Sequence, residues 1–68
     1  MLKIGDVFQL KDSHYGLHKN DTFQIVGDRE EDDVFKLKRL YSGIGKIYIG
    51  DYGFVLPKIA PEEYYEIL

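Results

Sequence analysis

"TFQIVGDREEDDVFKLKRLY", residues 22–41, holds two alternating runs around one charged segment. In the first run Phe23 and Ile25 fall on one side of an extended chain. In the second, Phe35 and Leu37 do so, with Lys36 and Lys38 on the other side. Successive side chains of a strand point to opposite faces, so this period of two predicts half-buried strands with their lysines turned to solvent. Between the runs, residues 28–33 pack five acids and one arginine. One reading is a solvated hairpin loop whose charges discourage pairing between sheets. The other is a two-signed surface, acids beside Lys36, Lys38 and Arg39, that docks on a partner.

Outward from this hairpin the same period recurs. "VFQL" (7–10) sets Phe8 and Leu10 on one face, and "KIYIG" (46–50) sets Ile47 and Ile49 against Lys46 and Tyr48. "FVLP" (54–57) is a further short run, closed by Pro57, which has no N–H for a central ladder. Glycines at 27, 43, 45, 50 and 53 punctuate these runs as turns do. In "APEEYYEIL" (60–68), Pro61 suits a first helical position and Glu62 and Glu63 suit its positive end, so a short 3₁₀ turn is expected before "YEIL" resumes as a strand. The expectation is an all-β domain spanning 1–68: a small barrel of five or six antiparallel strands. A long loop follows its first strand, a three-strand meander comes next, and the last strand pairs with the first.

Composition bounds what such a domain does. Sixty-eight residues lie near the lower size at which a chain buries enough apolar surface to fold alone. With 44 % hydrophobic residues, six Tyr and four Phe, it is too apolar and aromatic for a disordered tail. The lack of cysteine excludes disulfides, thiolate metal sites and a Cys nucleophile. No apolar run is long enough to span a bilayer, and Gly5 and Asp6 interrupt the N-terminal stretch, so a soluble cytoplasmic protein is expected. The formal charge is −3, but residues 28–33 alone carry a net −4, which leaves the remainder slightly positive. The acidity is local.

Catalytic readings find little support. Asp12, Ser13 and His14 are consecutive, and consecutive side chains diverge too far to line up as acid, base and nucleophile. His14 and His18 with Asp12 and Asp21 do not complete a metal-ligand pattern, and the histidines read as exposed loop residues. Gly43, Gly45 and Lys46 lack the spacing and following helix of a phosphate loop and read as a hairpin turn. A non-enzymatic protein without cofactor or metal is the expectation.

"KIGDVFQL" (3–10), the long loop "KDSHYGLHKND" (11–21) and the strand "TFQIV" (22–26) together resemble the start of SH3-like small barrels, including KOW-type and bacterial or phage modules. "PEEYYEIL" (61–68) resembles their ending, a 3₁₀ turn and a last strand. Where a KOW-like pattern has glycine, this chain has Asn20, the next-best residue for a left-handed turn. The resemblance implies a small barrel, and small size with no cofactor motif suits an accessory protein encoded by a phage or prophage.

Two functions follow from the residues. A protein-docking adaptor or inhibitor would use Asp28, Glu30, Glu31, Asp32 and Asp33 for steering, with Tyr15, Tyr41 and Tyr52 as anchors. The alternative is a nucleic-acid-binding module using Lys36, Lys38, Arg39, Lys46 and Tyr48. "VFKLKRLY" (34–41) would also suit an edge strand pairing in a symmetric dimer.

Overall fold

A computed structural model of the chain describes residues 2–43 and 47–68. Five antiparallel strands form one sheet: β1 (Val7–Leu10), β2 (Thr22–Arg29), β3 (Val34–Tyr41), β4 (Tyr48–Pro57) and β5 (Tyr65–Ile67). Their order across the sheet is β4-β3-β2-β1-β5. Consecutive strands β2, β3 and β4 make the expected meander. The last strand pairs with the first, Phe8 opposite Ile67 and Leu10 opposite Tyr65. A single 3₁₀ turn, Glu62–Tyr64, precedes β5, as the proline and paired glutamates predict.

Period-two patterning sorts the side chains. Phe8, Leu10, Phe23, Ile25 and Leu37 are all but fully buried, each from the predicted inner side of its strand, and Leu56 of β4 joins them. Phe8 and Phe23 stack with ring centroids 5.7 Å apart, and Tyr65 and Phe54 meet them edge-on. This aromatic run ties β5, β1, β2 and β4 together, so one small core links both ends of the sheet. Full burial of each such side chain contributes about 1.5–3 kcal/mol.

Two expectations need correction. The described part of "KIYIG" and "FVLP" do not form separate strands: Tyr48–Pro57 is one strand, pairing with β3 across two register shifts. Gly53 becomes a bulge within β4: Leu37 lies opposite Phe54 and Lys38 opposite Tyr52, leaving Gly53 unpaired at φ +100°, a conformation side chains other than glycine's rarely take. Edge-to-edge pairing through "VFKLKRLY" is also ruled out, since β3 is flanked by β2 and β4 on its two edges.

The long loop after β1 is ordered by its own contacts. Tyr15 and Gly16 take positive φ in a turn closed by the Leu17 N–H donating to the His14 carbonyl at 2.8 Å. Leu17 is thereby tucked into the core. Asn20 adopts φ +70°, the left-handed geometry for which Asn is suited, and its N–H donates to the Leu10 carbonyl. The loop histidines part company: His18 is exposed, whereas His14 is half-buried and stacks on Tyr64 at 3.6 Å between ring centroids.

Candidate functional site

The outer face of β3 and β4 gathers tyrosines around a lysine. Cross-strand partners share a face, so Lys38 sits beside Tyr52, and Tyr41 beside Tyr48. Simple alternation would put Tyr41 on the opposite side from Lys38. It does not, because Phe23 pairs with Arg39 and Thr22 with Tyr41, so Leu40 is the extra residue of a bulge and Tyr41 returns to the lysine's side. The Lys38 ammonium lies 5.2 Å from the Tyr52 ring centroid. Tyr41 and Tyr48 meet edge to face at 5.7 Å. Tyr48 lies over Gly50, where a Cβ would come 2.9 Å from the Tyr48 hydroxyl oxygen. The three tyrosines keep 45, 58 and 66 % of their surface exposed in chain order.

The hydrogen bond that the Lys38 ammonium donates to the Tyr48 hydroxyl oxygen, then the charge interaction with Tyr48 and a smaller one with Tyr52, hold the ammonium above the ordinary lysine value of 10.5. It is charged throughout the physiological range. Lys36 follows two positions earlier on the same side, its stem packed 3.6 Å from the position of a Gly27 Cβ. A groove of about 210 Å³ is lined by Lys36 and Tyr52 together with Val26, Arg29, Gly53 and Val55.

Other predicted site residues stand elsewhere. Arg39 faces inward: its guanidinium donates to Asp51 at 2.9 Å, lies 3.5 Å from the buried Asp21 carboxylate and covers the Phe54 ring. Asp51 first, then Asp21, raise its pKa further above an already high arginine value. Asp21 also accepts the Gly43 N–H at 2.7 Å, which fastens the end of β3 to the long loop. Arg39 is therefore a structural cation and does not join Lys36 and Lys38. Lys46 lies outside the described residues. Tyr15 belongs to a separate aromatic group with His14 and Tyr64.

The acidic segment is also divided. β2 runs through Arg29, so the turn proper is residues 30–33. Asp28 faces inward across from Phe35 and accepts from Lys58 at 2.9 Å, and Asp32 pairs with Arg29. Asp33 takes φ +54° and its carbonyl accepts the Lys58 N–H. Glu30 and Glu31 remain exposed at the tip.

Three groups give the fold a common response to alkali. The hydrogen bond to Asp28 raises the Lys58 pKa, Tyr48 raises that of Lys38, and burial, with Glu62 adding to it, pushes the Tyr65 hydroxyl above its ordinary 10.0. Each group holds its proton more tightly folded than unfolded. Its stabilisation is therefore complete below the unfolded pKa and is lost as pH rises through the folded one. The melting midpoint should stay level up to about pH 9.5 and fall above about pH 10, less steeply in Tyr65→Phe. A midpoint that rises through pH 10–11 would contradict this assignment.

Among the described residues no helix is long and apolar enough to cross a membrane, and no group of three or more His, Asp or Glu is arranged to hold a metal ion. Compared with known protein families, with functionally described proteins and with solved structures, the chain shows no match.

Proposed function

We propose that this chain is an SH3-like binding module without catalytic activity, an adaptor or inhibitor that docks on a protein through the outer face of β3 and β4. The observation that carries the reading is the cluster of Tyr41, Tyr48 and Tyr52 around Lys38, exposed on a firm sheet. Tyrosine combines a large apolar ring with a hydroxyl and loses little freedom on ordering, which suits it to the centre of protein interfaces. The bulge at Leu40 brings Tyr41 against Tyr48, and Tyr48 packs over Gly50, so the rings are placed before docking and little rearrangement is required. Glu30 and Glu31, at the near end of the same hairpin, act on approach and orientation.

Nucleic acid is the second reading, favoured by Lys36 and Lys38 on the same face as open tyrosine rings. Capture from host lysate on the immobilised chain, with and without nuclease and across a salt series, separates the two. Protein capture that persists after nuclease is the expected result. Loss of all capture after nuclease, with RNA or DNA recovered from the untreated sample, would transfer the function to nucleic acid.

A further inference from the structure

The charges of this molecule are segregated by face. The acids of β2 and β4, Asp28 and Asp51, are engaged on the inner side of the sheet by Lys58 and Arg39. On the outer side, the cross-strand partners of Lys36 are Gly27 and Val55 and those of Lys38 are Gln24 and Tyr52, with Tyr41 and Tyr48 beyond, and none of these is acidic. Arg29, at the edge of the groove, is already paired with Asp32 of the turn, so among the described residues the cations of this face without an acidic partner are the two lysines. A chain with a formal charge of −3 thus presents one cationic, tyrosine-rich face.

From this complementarity, and resting on the docking face proposed above, we infer that the partner contributes an extended acidic peptide segment, with carboxylates at alternate positions seated on Lys36 and Lys38. Alternate residues of a strand repeat at about 6.5–7 Å, so the two lysines of β3 and every second side chain of an extended peptide share one spacing. At Lys38 an arriving carboxylate meets an ammonium with the Tyr48 hydroxyl beside it and the Tyr52 ring beneath. The residue between the two carboxylates passes over the groove lined by Lys36 and Tyr52.

The acidic tip decides between a peptide and a nucleic-acid strand, since both carry anions at intervals. Glu30 and Glu31 lie just past Lys36 along the hairpin. A strand with a phosphate at every step would be repelled on passing them, whereas a peptide can end its acidic stretch there or change sign. This is the use of opposite charges placed side by side in one hairpin.

Titration of the ¹⁵N-labelled chain with three probes tests the inference: an eight-residue peptide alternating Glu and Ser, its Lys and Ser counterpart, and an eight-nucleotide oligo-dT. The Glu peptide should shift the amides of Lys36, Lys38, Tyr41, Tyr48 and Tyr52. Its apparent affinity should fall at least about tenfold in Lys38→Glu, a loss of one hot-spot-sized contact. Equal or tighter binding of the Lys peptide or of oligo-dT at these amides would overturn the acidic-peptide inference and leave the docking face standing. Absence of any Glu-peptide shift at these amides would also overturn it. The docking face itself falls only if lysate capture is unaffected by loss of Tyr48 and Tyr52.

Discussion

Phe23→Ala should leave the domain largely unfolded at 25 °C. Phe23 has no exposed surface, stacks on Phe8 and meets Phe54 edge-on, so it joins β1, β2 and β4 at one point. Truncating a buried Phe costs about 3–5 kcal/mol, the lost transfer energy plus the cavity left behind. A chain of 68 residues has in total roughly 3–10 kcal/mol to lose. Circular dichroism should show either no cooperative transition or a midpoint lowered by at least about 12 °C. A midpoint within a few degrees of the parent would mean that the core is centred elsewhere.

The largest functional effect is expected from the double substitution Tyr48→Ala/Tyr52→Ala. Both rings are more than half exposed, and their strand pairing runs through the backbone, which alanine keeps. Stability should therefore change by less than about 1 kcal/mol, in the range of surface substitutions with some lost packing. Binding should weaken by at least about 2 kcal/mol, near 30-fold, because the two anchors and the aromatic surroundings of Lys38 go together. Glu30→Lys/Glu31→Lys provides the contrast, since a rim charge acts mainly on association rate and salt dependence.

Much of the fold was legible in the residues because the core positions of β1 to β3, Phe8, Leu10, Phe23, Ile25 and Leu37, alternate with mostly polar neighbours. "VFQL" reads as β1 to the residue. Pro61 with Glu62 and Glu63 marks the 3₁₀ turn. What escaped were the bulges. Gly50 and Gly53 look like breaks between two strands, yet opposite a continuous β3 they are accommodated inside one. Whether a glycine ends a strand or bends it depends on the partner across the ladder, which no local pattern contains.

The site was legible in part for the same reason. Lys36, Lys38, Tyr48 and Tyr52 follow simple alternation, and they do share a face. Tyr41 reaches that face only through the bulge at Leu40, whereas Arg39, next to the outward Lys38, is turned inward to Asp21 and Asp51 by the same simple alternation. Asp28 looked like part of a free acidic loop because its partner, Lys58, is 30 residues away in the chain. Charge runs show their sign in sequence, whereas their pairing is settled by the sheet.

The most direct measurement is lysate capture by the parent chain and by Tyr48→Ala/Tyr52→Ala side by side, after nuclease treatment, with melting curves recorded for both. The expected result is a protein retained by the parent and lost by the variant at an unchanged melting midpoint. Equal retention by the two chains would contradict docking through the outer face of β3 and β4.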